Sequence, residues 1–217
     1  QIEVSATSSG GTIKADFTRS DSVICGGACV DFTDMTTGGA TSWLWNFPGS
    51  DSMNSHLQNP TGICYDIPGT YDVILTASDG PNTDVYTCIG CIEVVSAYIE
   101  QSDTSVCLKA PIEFNAEYSN SSYTYLWSNM SSNDSTTYIP SFTGYFGLDV
   151  SYLGVTCKDS VMVEVSDLVG SISAQLPGCE DSLAYLTAVA SLGFSPYTYL
   201  WNTGAVTDTL NGVSPGT

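Results

Sequence analysis

The chain has 217 residues, 42% of them hydrophobic and 12% charged, which is the balance of a folded protein and not of an acidic disordered tail. Lys and Arg number 4 against 23 Asp and Glu, a formal charge of −19 that argues strongly against nucleic-acid and anionic-lipid binding, since both need a basic face to displace counterions. No apolar run approaches the roughly 20 residues of a spanning helix, so no membrane insertion is expected in this segment, and no stretch reads as a signal peptide.

From the N-terminus onward, short alternating runs broken by Gly, Pro, Asn and Ser predict strands throughout and no helix. Trp43, Trp45 and Phe47 alternate and are expected to supply most of the first aromatic core. Pro68-Gly69-Thr70 predicts a turn. After it, Tyr71, Val73, Leu75 and Ala77 share one strand face while Asp72, Thr76 and Ser78 share the other. Ile92-Glu93-Val94 reads as a closing strand. It has counterparts at Ile2-Glu3-Val4 and Val163-Glu164-Val165, and intervals of about 70 to 90 residues are the size of small β-sandwich domains.

A second module repeats the plan: Phe146, Leu148 and Val150 follow Gly144 at the offsets at which Tyr71, Val73 and Leu75 follow Gly69, and Trp127 takes the place of Trp45. Its segment Tyr123-Thr124-Tyr125-Leu126-Trp127 recurs letter for letter at Tyr197-Thr198-Tyr199-Leu200-Trp201, which marks a repeat architecture. A third module runs from Leu168 to the turn Pro215-Gly216-Thr217. The expected map is the end of a preceding domain or a linker over 1–11, sandwiches over 12–97 and 98–167, and an incomplete repeat over 168–217. Both ends therefore look cut from a longer tandem array.

Val30-Asp31-Phe32-Thr33-Asp34, Thr41 to Gly49, Gln58-Asn59-Pro60-Thr61, Cys64-Tyr65 and Pro68 to Val73 together resemble a PKD domain of the variety found in secreted surface proteins of Bacteroidota. Pro196 to Gly204 followed by Leu210 to Thr217 resembles the repeat of SprB-type gliding-motility adhesins, and residues 98–167 look like a divergent Ig-like member of the same group. There Ser128-Asn129-Met130 follows Trp127 in place of the usual Gly-containing turn. The resemblance implies an all-β fold of tandem Ig-like (PKD-type) β-sandwiches. It also implies a non-catalytic spacer or ligand-binding segment of a long cell-surface protein exported by type IX secretion. Its partners would be neighbouring repeats and a surface polysaccharide or protein ligand, with no cofactor. The alternative is a set of accessory modules attached to a secreted protease or polysaccharide-degrading enzyme.

Eight cysteines point to an oxidising, extracellular location. Cys107 and Cys157 bracket the second module and are expected to pair. Cys29 opens one strand and Cys64 lies beside Tyr65 in the strand expected to face it, so these two are expected to pair as well. First and last strands of such sandwiches run side by side, which favours Cys25 with either Cys88 or Cys91; Cys179 would find its partner beyond Thr217. A zinc knuckle built from Cys25, Cys29, Cys88 and Cys91 is disfavoured by these strand-to-strand bridges, and a thioredoxin-type role for Cys88 and Cys91 by strand-like flanks where that chemistry uses a helix N-terminus.

No catalytic constellation is expected. His56, the one histidine, lies in a polar loop with no nucleophile motif near any serine. Asp79, Asn82 and Asp84 offer oxygen ligands that calcium favours, but Asp79-Gly80-Pro81-Asn82 is also an ordinary hairpin loop, the preferred reading. Tyr123, Tyr125, Tyr197 and Tyr199 resemble a sugar-stacking platform, yet their alternation places them on the Trp face and predicts burial. Asp followed by Ser or Thr, at Ser22, Ser52, Ser135, Ser160, Ser182 and Thr209, resembles the O-glycosylation signal of Bacteroidota. Asn120, Asn129 and Asn133 begin Asn-x-Ser sequons.

Overall fold

The computed structural model describes residues 12–175 and 183–213, and every regular element among them is a β-strand. Ile2-Glu3-Val4, Cys179, Ser182 and Pro215-Gly216-Thr217 lie outside the described residues. The strands are β1 (Phe17–Arg19), β2 (Val23–Cys25), β3 (Ala28–Val30), β4 (Phe32–Asp34), β5 (Ser42–Asn46), β6 (Asn54–Ser55), β7 (Ile63–Tyr65), β8 (Gly69–Ser78), β9 (Thr83–Val95), β10 (Thr104–Cys107), β11 (Ile112–Asn115), β12 (Thr124–Trp127), β13 (Ser135–Tyr138), β14 (Gly144–Tyr152), β15 (Val155–Ser166), β16 (Val169–Gln175), β17 (Ala184–Ser191) and β18 (Thr209–Val213). The chain divides into two compact units, Gln1–Glu100 with Asn115–Thr136 and Gly147–Ser160, and Gln101–Phe114 with Thr137–Phe146 and Val161–Thr217. Residues 98–167, expected as one module, thus contribute to both.

The first unit is organised by the hairpin of β8 and β9, the two longest strands in it. Around this hairpin a five-stranded sheet forms in the order β2-β9-β8-β5-β6, accompanied by the pairs β1-β4 and β3-β7. Alternation on β8 buries Val73, Leu75 and Ala77 as the period-2 pattern requires, while Tyr71 is only half-buried because the register slips between Tyr71 and Val73. Trp45 and Phe47 are fully buried and stack at 5.8 Å, with Phe17 edge-on to Trp45 at 5.1 Å. Burying such rings stabilises by about 2–3 kcal/mol each. Trp43, expected in the same core, is half-buried. At Gly49, with φ +83°, an added Cβ would fall 2.1 Å from the Tyr71 ring, so the Pro48-Gly49 turn lets that ring lie against backbone.

The closing strand has two neighbours: Ile92 to Val94 pair with β8 on one side, and on the other β2 runs parallel to β9 with Cys25 opposite Val95. Farther along the same unit, β12 pairs antiparallel with β14, placing Trp127 opposite Leu148 and Tyr125 opposite Val150. All four side chains are buried.

In the second unit β10 runs parallel to β15, Thr104 opposite Val163 and Cys107 opposite Ser166. Phe114 and Phe146 stack at 4.9 Å, and Tyr138 lies 4.2 Å from Phe146. Strands β16, β17 and β18 form an antiparallel sheet in that order. Thr198 to Trp201 carries no strand, although the same letters at Thr124 to Trp127 form β12.

Candidate functional site

The chemistry-bearing side chains are mostly carboxylates, and several of them are bonded by backbone N–H groups. Asp31 accepts from Gly62 N at 2.7 Å, Asp51 from Cys64 N at 3.1 Å, Asp72 from Gly90 N at 2.7 Å and Asp84 from Ala15 N at 2.8 Å. Asp159 accepts from Ile99 N and Asp103 from Met162 N, each at 2.8 Å. Strand ends and bulges leave N–H donors without ladder partners, and a carboxylate satisfies them more strongly than a neutral acceptor does. The acidity of the chain is therefore partly structural, a use that composition does not reveal.

Asp34, at the end of β4, is the densest of these centres. Its carboxylate accepts from Trp43 Nε1 at 2.8 Å, Gln58 Nε2 at 3.0 Å and Thr36 N at 3.0 Å. Burial alone would raise its pKa, but the bonds from Thr36, Gln58 and Trp43 prevail and hold the carboxyl below its ordinary value. This bond is why Trp43 stays at the edge of the core. An indole aimed at a carboxylate has to keep one end polar.

Asp79-Gly80-Pro81-Asn82, preferred as a hairpin loop over a calcium site, connects β8 to β9 with Ser78 opposite Thr83. Asn82 Nδ2 bonds the Asp79 carboxylate and Asn82 N donates to its Oδ1 at 2.8 Å, and these two bonds, the side-chain one first, lower the Asp79 pKa. Asp84 is directed to Ala15 N instead. Among the described residues no three His, Cys, Asp or Glu side chains gather as metal ligands. His56 is exposed in its loop.

The cysteines pair Cys25–Cys157, Cys29–Cys64 and Cys88–Cys91, leaving Cys107 free and exposed among the described residues. The pairing expected for Cys107 with Cys157 is corrected by register: Cys107 stands opposite Ser166 at the far end of β15, whereas Cys157 lies near its start. The pairing expected for Cys25 with Cys88 or Cys91 is corrected too. β2 and β9 do run side by side, but Cys25 aligns with Val95, beyond Cys91, and its sulfur meets Cys157. Cys88 and Cys91 close on each other across Gly90, whose φ of +59° and bond to Asp72 bend the strand. Arg19 Nη1 lies 3.9 Å from the Cys88 sulfur.

Tyr125 is buried and its hydroxyl donates to Asn120 O at 3.3 Å. Tyr123 is half-buried, its hydroxyl donating to Glu93 Oε1 at 3.2 Å, and burial followed by the Glu93 charge pushes its pKa up to about 12. Tyr197 and Tyr199 are half-buried. Tyr65 is fully enclosed, its hydroxyl unpaired among the described residues, and burial pushes its pKa up to about 12. A hollow of about 660 Å³ in the second unit is lined by Val106, Leu168, Ile172, Val189, Phe194 and Tyr197 among others, with no ionised side chain. Ser22, Ser52, Ser135 and Ser160 are exposed and Thr209 is half-buried.

Three tryptophans share one device. Each indole N–H donates to a carbonyl in the loop that follows it: Trp45 to Leu57 O at 2.9 Å, Trp127 to Asn133 O at 2.8 Å and Trp201 to Thr207 O at 2.7 Å. The spacing of these tryptophans was visible in the sequence; the loop carbonyls that receive them were not, because a carbonyl has no letter.

Residues 14–84 match the PKD domain. No curated protein matches the chain. Among solved structures it is similar to an I-band fragment, I67-I69, from titin, with 11% identity over 82% of this chain and 76% of that one and a TM-score of 0.38. It is also similar to the N-terminal four Ig domains of Dscam1 isoform 6.9, with 8% identity over 66% of this chain and 42% of that one and a TM-score of 0.32. A third is the N-terminal eight Ig domains of Down Syndrome Cell Adhesion Molecule isoform 1.30.30, with 10% identity over 88% of this chain and 35% of that one and a TM-score of 0.29. The chain thus spans less than half of either multi-Ig fragment.

Proposed function

We propose that this chain is a non-catalytic repeat segment of a long, acidic, extracellular surface adhesin or filament, of the SprB-type kind that serves cell-surface adhesion or gliding motility. The observation that carries the reading is the PKD match over residues 14–84, in a chain whose Trp-sealed loop recurs twice beyond it. Two further features support it. Several carboxylates, Asp31, Asp72, Asp103 and Asp159 among them, are engaged in holding backbone N–H groups. Three disulfides suit an oxidising location. Its partners in this reading are neighbouring repeats and a protein or polysaccharide ligand.

The test is labelling of intact source cells with antibody against residues 12–97, together with attachment of cells lacking the gene. Surface labelling before permeabilisation and loss of attachment are expected. Labelling confined to permeabilised cells, or a parent protein that hydrolyses peptide or glycan with unchanged attachment in the mutant, would overturn the reading.

A further inference from the structure

We propose that the Cys25–Cys157 disulfide is a tension shunt: when the chain is pulled by the segments flanking this pair, the load crosses the bond and bypasses everything between. The two cysteines are 132 residues apart in sequence, with Cα atoms 5.6 Å apart. Cys25 is the last residue of β2, aligned with Val95 where the chain leaves β9, and Cys157 Sγ lies 3.6 Å from the Val95 carbonyl oxygen. Gly26 N donates to that same oxygen at 3.0 Å, and Asp159 holds Ile99 N at 2.8 Å. The bond is therefore seated among short contacts on both of its sides.

Topology decides the mechanics. A covalent bond between two points of a chain makes the intervening residues a closed ring, which tension on the outer segments cannot lengthen whether the ring is folded or not. Trp45, Phe47, Tyr65, Leu75 and Trp127, all buried, lie inside this ring. So do both other disulfides, Cys29–Cys64 and Cys88–Cys91, which are nested and bear no load while the outer bond persists. On the N-terminal side, the described residues left to be peeled are β1, β2 and the flanking Ile13 and Ala15. At about 3.5 Å per residue, the ring withholds about 460 Å of extension. About 330 Å of that becomes available when the outer bond alone is opened, since the inner bridges still hide their own spans.

The shunt opens by thiol–disulfide exchange. An external thiolate attacks the sulfur of Cys25, the more accessible of the two, and Cys157 leaves as a thiolate and takes up a proton. A second external thiol then releases Cys25 and closes the reductant's own disulfide, so two electrons pass from reductant to protein. Whether a cell puts the chain under load rests on the array reading above. The mechanical effect does not, so a force measurement and the cell-surface test fail separately.

The experiment is single-molecule stretching of the full chain tethered by its two ends, oxidised wild type against Cys25→Ser/Cys157→Ser, both with Cys107→Ser and Cys179→Ser to block exchange. The variant is expected to release about 330 Å more contour length than the wild type. Equal lengths would overturn the proposal. Should the variant not fold, the wild type held at constant force in a small dithiol gives the same answer. The 330 Å extension should precede the roughly 120 Å held by Cys29–Cys64, because the inner bond feels no load until the outer one opens. The reverse order, or no extension on reduction, would equally overturn it.

Discussion

The two copies of Tyr-Thr-Tyr-Leu-Trp share five letters and one loop but not one environment. After each, the Trp N–H meets the carbonyl four residues on, Ser131 or Ala205, and the indole meets the carbonyl six residues on. The third residue after each Trp is left-handed, Met130 at φ 67° and Gly204 at φ +85°. There the likeness stops. Thr124 to Trp127 is a strand against β14 with Trp127 buried to 1%, whereas Thr198 to Trp201 is not a strand and Trp201 is half-buried. Tyr123 reaches the Glu93 carboxylate, while Tyr197 donates to Gly193 O at 3.1 Å in its own loop. A five-residue repeat encodes the turn it enters. Strand state and burial come from whatever lies across from it.

If that is right, the same truncation should act differently in the two copies. Trp127→Ala should cost about 3–5 kcal/mol, as a filled core site vacated, and Trp201→Ala about 1 kcal/mol, chiefly the indole hydrogen bond. Urea unfolding of both variants decides it, and equal losses would break the comparison.

The shared loop predicts a symmetric pair of smaller effects. Met130 is exposed and pays for a left-handed backbone that glycine adopts freely, so Met130→Gly should gain about 1 kcal/mol and Gly204→Ala should lose about as much. Opposite signs in thermal melts would sharpen the claim that the loops are equivalent, and matching signs would undo it.

The smallest effect separates the two first tyrosines. Tyr123→Phe removes the Glu93 contact and should lower neutral-pH stability slightly, with Tyr197→Phe nearly silent. A phenol whose folded pKa is raised from 10.0 to about 12 stabilises fully below pH 10, and that contribution is lost as pH climbs toward 12. Tyr123→Phe should therefore flatten part of the alkaline fall in stability, measured by unfolding across that window. The enclosed Tyr65 should supply a further part.

Much of the fold was legible because alternation is a direct imprint of a half-buried sheet. Val73, Leu75 and Ala77, and likewise Phe146, Leu148 and Val150, are buried as their period requires. The PKD-like segment was legible by a different route, the resemblance of its motifs from Val30 to Val73 to that family, and residues 14–84 match that domain. What failed did so where long-range register rules. Cys25 was sought a partner inside its own module, since strand neighbours can be guessed from order, but the residue facing it lies 132 positions away. The second pentapeptide was expected to be a buried strand because its first copy looks like one, and no letter within it reports the absence of a ladder. The carboxylates were visible as charge and opaque as hydrogen-bond acceptors where their donors are backbone atoms, which are common to every residue.

The 132-residue reach of the outer disulfide also imposes an order in time. A polypeptide is made from its N-terminus, so Cys25 emerges first and has to wait, while Cys29 and Cys64, then Cys88 and Cys91, come within reach of each other sooner. An oxidant that acts on cysteines as they appear would join Cys25 to one of these nearer thiols. Correct pairing therefore depends on β2 docking beside β9, which carries Cys25 past Cys91 to the level of Val95 before its sulfur is committed. The parallel strand pair acts as a timekeeper, reserving one thiol for a partner not yet made.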